Sequence, residues 1–174
     1  MTARYAAIAF ALLLGACAIA PQPRPLPELA GVPDAFEVSG RLALRMGDRS
    51  EIAKLRWTHR PASDAWVIAS PIGNEIAALR SDASGAVLRR AGAADERAAT
   101  FAALTERLLG AALEPQALAA WLHGTNAGDS AADWKVTVDE TQQAGSVQLA
   151  RRITATRTDT VVKLVVDSYR PLED

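Results

Sequence analysis

The chain has 174 residues, formal net charge −1, 49% hydrophobic and 22% charged residues, which is the size of one domain able to bury its own core. The near-neutral balance supplies no electrostatic footprint for nucleic acid, and no basic run, acidic tail or block of like charges is present. One cysteine excludes an internal disulfide.

In chain order, the first element is a secretory signal. Arg4 supplies the positive n-region, Ala6 to Leu14 the apolar run, and Gly15-Ala16 the small residues before Cys17. The apolar run is well short of the ~20 residues that a spanning helix needs. Leu14-Gly15-Ala16-Cys17 resembles the bacterial lipobox. That resemblance implies removal of residues 1–16, diacylglycerol on the Cys17 thiol and an acyl chain on its new amine. Ala18 stands where an aspartate would favour retention in the inner membrane, so sorting to the outer membrane is expected. Five prolines follow (Pro21, Pro23, Pro25, Pro27, Pro33). Proline fixes an extended backbone without an N–H donor, so residues 17–35 read as anchor plus semi-rigid tether. The domain is expected over 36–174.

Strand signals begin there. Ser39 to Met46 alternates, with Leu42, Leu44 and Met46 on one face and Arg41, Ala43 and Arg45 on the other. Gly47-Asp48 supplies a hairpin turn. From Ile52 to Thr58, Ala53, Leu55 and Trp57 share a face opposite Lys54 and Arg56. Ala65 to Ala69 alternates again, with Trp66 and Ile68 against Val67. Ser70-Pro71-Ile72-Gly73 leads into Asn74 to Leu79, and Ser84-Gly85 into Val87 to Arg90. The period then changes. Ala98, Phe101, Leu104 and Leu108 recur at helical spacing, and Gly110 can end that helix. A second helix is expected from Pro115, with Leu118, Trp121 and Leu122 on one side and Gly124 as cap. Thr125 to Ala132 reads as a polar loop. Trp134 to Val138, Ser146 to Thr156 and Thr160 to Tyr169 return to strands, with Val162, Leu164 and Val166 facing one way in the last. Strands, two short helices, then strands predict an α+β domain, a curved antiparallel sheet covered on one face by helices.

Few residues suit catalysis. His59 and His123 have no ligand spacing, and HExxH, CxxC, EF-hand, GxSxG and phosphate-loop patterns are all absent. Asp48, Glu51, Asp64, Glu75 and Asp167 read as turn formers or solvated charges. No catalytic residue and no metal site is therefore expected. Four tryptophans dominate a sparse aromatic content. Binary patterning alone cannot distinguish a filled core around them from a cavity that accepts lipid.

Six features together resemble the LolB family of outer-membrane lipoprotein receptors. They are the lipobox, Gly40-Arg41-Leu42-Ala43-Leu44-Arg45, Leu55-Arg56-Trp57, Ser70-Pro71-Ile72-Gly73, Pro115 to Gly124, and Leu164-Val165-Val166-Asp167-Ser168-Tyr169. The resemblance implies an unclosed β-barrel of the LolA/LolB type with helices as a lid over an apolar cavity. It implies acceptance of acylated lipoprotein cargo from the periplasmic carrier LolA and delivery into outer-membrane phospholipid, on the periplasmic side; nothing in the sequence demands more than a monomer. It places a membrane-inserting loop at Pro71, Ile72 and Gly73. The acyl-chain cavity would be lined from strands by Leu42, Leu44, Leu55, Trp57, Trp66, Ile68, Leu164 and Val166. From the second helix it would be lined by Leu118, Trp121 and Leu122. No cofactor is implied beyond the covalent lipid on Cys17.

The chain departs from the family pattern in four places. Ile72 replaces a leucine, Thr125 to Ala132 lacks a usual proline, Glu140 to Ala150 looks short, and a proline near Ala150 is absent. The alternative reading is a structural lipoprotein subunit of an outer-membrane assembly complex, with a filled core and a protein-binding patch. A periplasmic hydrolase would need convergent polar groups in a pocket.

Overall fold

A computed structural model describes residues 33–125 and 133–173. The expected signal, Cys17, most of the tether and most of the polar loop before Trp134 lie outside the described residues. Five hairpin-connected strands come first: β1 (Phe36–Met46), β2 (Arg49–Arg60), β3 (Ser63–Ala69), β4 (Glu75–Asp82) and β5 (Gly85–Arg90). A short β6 (Glu96–Ala98) precedes helices α1 (Phe101–Leu109) and α2 (Pro115–His123). Strands β7 (Lys135–Ala144), β8 (Val147–Arg157) and β9 (Thr160–Pro171) complete the chain. All nine strands form one antiparallel sheet in the order β6-β5-β4-β3-β2-β1-β9-β8-β7. The first and last strands of that order do not pair with each other, so the barrel is unclosed.

Period-2 alternation decides which face is covered. In β1, Phe36, Val38, Leu42 and Leu44 are buried while Arg41 and Arg45 are exposed. Its partners continue the same face: Val38 lies opposite Trp57 on β2, and Leu42 opposite Leu164 on β9. Trp57 in turn pairs with Trp66 on β3, and Trp66 with Leu79 on β4. The core therefore sits on one side of the sheet, beneath the helices. Helix α1 packs against β4, β5 and β6, and α2 against β8. A Cβ on Gly40 would collide with the Val165 carbonyl of β9. The register shift beside Ser39–Gly40 lies at this close approach, so the β1–β9 seam depends on glycine there.

Strands β1, β2 and β4 run two or three residues beyond their expected ends, and two boundaries differ in kind. Ala98 does not extend the helical stripe; it pairs with Ala86 in β6. Thr100 is the N-cap, extended at φ −132°, ψ 156°, and its Oγ1 accepts from the Ala103 amide, so the helix cannot begin earlier. Strand β7 continues past Val138 to Ala144. Register shifts around Glu140 break the alternation there, and the residues beyond are polar, which hides the strand from a period reading. The segment read as short, Glu140 to Ala150, is the turn and inner part of this β7–β8 hairpin. The helix ends fall where glycine was expected to place them. Gly110 (φ 71°) and Gly124 (φ 68°) adopt the left-handed conformation and donate to the Glu106 and Ala120 carbonyls.

Candidate functional site

The concave face and the two helices bring together every residue expected to line the cavity. Leu42, Leu44, Leu55, Ile68 and Leu164 are buried on the sheet, and Leu118, Trp121 and Leu122 on α2. Trp57, Trp66, Val166 and Leu122 have no exposed surface at all. The other expected lining residues keep at most 6%, and a void large enough for an acyl chain would leave far more accessible surface on them. In this conformation the apolar space under the lid is thus occupied by the side chains that line it. Aromatic edges organise the filling: Trp66 meets Phe101 of α1 at 5.0 Å and Trp57 at 6.2 Å between ring centroids. The Trp66 indole N–H has no hydrogen-bond partner, the one buried side-chain polar atom among the described residues so left. Such a donor costs about 1–3 kcal/mol in the closed state.

The lid is held by side-chain hydrogen bonds as well as by packing. Thr105 Oγ1 accepts from the Leu113 amide at 2.9 Å and donates to the Ala102 carbonyl at 3.0 Å, tying the connector between the helices to α1. At the far end of α2, His123 is buried. Its Nδ1 lies 2.9 Å from the Ala119 carbonyl and its Nε2 2.9 Å from the Tyr169 hydroxyl on β9. A carbonyl only accepts, so Nδ1 carries the proton and Nε2 accepts from the tyrosine O–H. Burial pulls the His123 pKa down from 6.5; the bond to Ala119 opposes this, and the charge of His59 adds to it. Burial also pushes the Tyr169 pKa up to about 12.

Phe36 connects this latch to a second polar group. Its ring packs within 5.0 Å of both His59 and His123 and within 5.5 Å of Tyr169, between centroids. Beyond it, Asp64 Oδ1 accepts from Trp57 Nε1 and from His59 Nδ1, each at 2.8 Å. Asp64 is buried, not the solvated charge that its type suggested, because two donors replace its water. The sequence reading missed this cluster. His59 and His123 are remote in the chain, and only the fold sets them on either side of Phe36. An open groove of about 350 Å³ runs along the same rim, lined by Pro33, Phe36, His59 and Pro61 on one side and Gln116, Ala119 and Ala120 of α2 on the other.

The expected loop is a tight turn. The Gly73 amide donates to the Ser70 carbonyl at 2.8 Å, and Ser70 Oγ accepts from the Asn74 amide at 3.2 Å. Proline second and glycine fourth are favoured choices for such a turn. Gly73 takes φ 100°, where an L side chain is strained. Ile72 stands at the tip, 84% exposed.

These parts define a class: an unclosed half-barrel whose helical lid covers an apolar concave face, suited to sequestering a hydrocarbon chain. The profile described as "Outer membrane lipoprotein LolB" matches residues 34–169. Among similar curated proteins, the Outer-membrane lipoprotein LolB of Chromobacterium violaceum is 30% identical over 98% of this chain and 100% of its own length. That of Thiobacillus denitrificans is 29% identical over 96% and 97%. The chain belongs to the LolB family. A crystal structure of a DUF1329 family protein from Desulfovibrio piger shares the fold, with TM-score 0.57 at 7% identity over 83% of this chain and 89% of that one.

Proposed function

We propose that this protein is an outer-membrane lipoprotein receptor, anchored by lipid on Cys17, that takes acylated lipoproteins from the carrier LolA and inserts them into the outer membrane. Family membership over nearly the whole chain carries this reading, and the lidded apolar face supports it. Each buried CH₂ contributes about 0.8 kcal/mol, so exposing a sixteen-carbon chain to water costs on the order of 12 kcal/mol. Passing chains directly between apolar sites avoids that cost. Direction then depends only on the difference between the sites and needs no nucleotide.

Because the lining fills its own interior, cargo enters only when the lid lifts. Helix α2 is the part to move: the rim groove already runs along its side that carries Gln116, Ala119 and Ala120, which leaves the His123 end, packed on Phe36 and bonded to Tyr169, as the latch to release. The acyl chain then replaces side-chain contacts with its own. The Ser70–Asn74 loop, with Ile72 projecting, touches the acceptor bilayer.

The test mixes the full chain with carrier holding a labelled lipoprotein. Movement of label to this protein, and onward to vesicles, is expected. If label stays on the carrier, the reading fails in favour of a structural subunit.

A further inference from the structure

Three large apolar side chains are exposed among the described residues: Ile52 at 60%, Ile72 at 84% and Ile76 at 46%. Scattered single exposures need no explanation, but these three are not scattered. Lys54 of β2 pairs with Ala69 at the end of β3, and Ala69 pairs with Glu75 at the start of β4. Ile52 lies two residues before Lys54, beyond the end of β3, Ile76 one residue after Glu75, and Ile72 in the turn between β3 and β4. Alternation sets Ile52 on the convex face with exposed Lys54 and Arg56, away from buried Leu55 and Trp57. It sets Ile76 on that same face, away from buried Ala77 and Leu79. Only β3 separates β2 from β4, two interstrand spacings of about 4.8 Å, and an offset of about 8–10 Å along the strands adds to this, so Ile52 and Ile76 stand roughly 13 Å apart, one on each side of the turn.

A groove of about 290 Å³ opens on the convex face beside this corner. Lys54, Arg56, Val67 and Ala69 line it, and Gly73 brings the turn itself to its edge. Its one carboxylate, Asp167, is engaged by Arg41 at 3.0 Å. Among the described residues no carboxylate pairs with Lys54 or Arg56. The two cations project from one face of β2, about 7 Å apart along the strand. An apolar tip beside an uncompensated basic groove matches a bilayer surface that carries anionic phosphate.

We infer that the β3–β4 corner is a membrane-docking foot, in which Ile52 and Ile76 enter the acyl boundary together with Ile72 while Lys54 and Arg56 hold the phosphate of an anionic phospholipid headgroup. The inference rests on the receptor reading, in which the Ile72 turn meets the membrane. It adds a wider contact area and a lipid preference. Two flanking anchors also restrict the tilt of the barrel on the bilayer, which a single projecting residue does not.

The test uses the full-length chain in vesicles with and without phosphatidylglycerol. Ile52→Cys, Ile72→Cys and Ile76→Cys are made separately and labelled with an environment-sensitive dye, and a quencher is placed on lipid acyl chains. All three labels are expected to shift to the blue and be quenched in phosphatidylglycerol vesicles. The exposed pair Lys54→Gln and Arg56→Gln, made together, is expected to lower the docked-to-undocked ratio by about fivefold per charge, roughly 25-fold in all. It should do so only where phosphatidylglycerol is present. If label 72 inserts while labels 52 and 76 stay aqueous, the foot is wrong and the single-residue loop stands. If all three stay aqueous, the loop reading falls with it. Insertion that ignores headgroup charge and the double substitution overturns the phosphate site. A blue shift seen only when the carrier is added would make the corner a protein-docking face and overturn the inference.

Discussion

Replacing Tyr169 by Phe tests whether the lid must open for cargo to enter. The substitution removes one hydroxyl and keeps the ring that packs against Phe36 at 5.5 Å. His123 Nε2 then loses the O–H that it accepts from at 2.9 Å and becomes a buried acceptor without a partner. Such a group costs about 1–3 kcal/mol. When α2 lifts, water satisfies the ring nitrogen, so the cost falls on the closed state alone. At the low end this raises the open fraction about fivefold. While the closed state still dominates, apparent affinity for an acyl chain rises by the same factor. Melting temperature should fall by roughly 2–4 °C for each kcal/mol lost from the closed state. Titrating wild type and Tyr169→Phe with a fluorescent diacylated lipopeptide, beside thermal melts of both, reads the two effects together. A lower melting temperature with unchanged or weaker lipopeptide binding would refute the idea that this latch opposes opening.

Three further outcomes are expected. Ile72→Glu should leave the fold and cargo acceptance largely intact, since the side chain is exposed, but slow delivery to liposomes; normal delivery would remove Ile72 from the insertion step. Stability should decline as pH falls below about 6.5, because the unfolded chain takes up a proton on His123 before the folded one, whose pKa burial has lowered. His123→Gln should flatten that part of a denaturation-against-pH profile; an unchanged slope would show that His123 does not carry it. Gly40→Ala should destabilise by about 1–3 kcal/mol, because its Cβ meets the Val165 backbone and not a movable side chain; a denaturant midpoint equal to wild type would mean that the β1–β9 seam shifts at little cost.

Much of the molecule is legible in local patterns. Alternation in Leu42-Leu44, Leu55-Trp57 and Val162-Leu164-Val166 named the covered face of β1, β2 and β9. Pro115 and Gly124 bounded α2, and Ser70-Pro71-Ile72-Gly73 marked a turn with an apolar tip. These signals are local because a strand's period, a helix cap and a tight turn are each set by a few adjacent dihedrals. Local patterns failed where a neighbour outside the window decided the outcome. Glu96–Ala98 is a strand only because β5 offers it an edge, and the polar half of β7 holds because β8 pairs with it across bulges.

The sequence by itself determined the sidedness of the sheet, the start of α2 and the glycine ends of both helices, the projecting turn and the family. Tertiary structure alone decided how the site is assembled. It put Asp64 under two donors, set His123 against a tyrosine 46 residues away, and gathered Ile52 and Ile76 around the turn that holds Ile72. It also decided that the space under the lid is filled in this conformation. Periodicity tells a side chain which way to face, but whether that space is empty, packed or wet depends on distances across the sheet, which no local pattern contains.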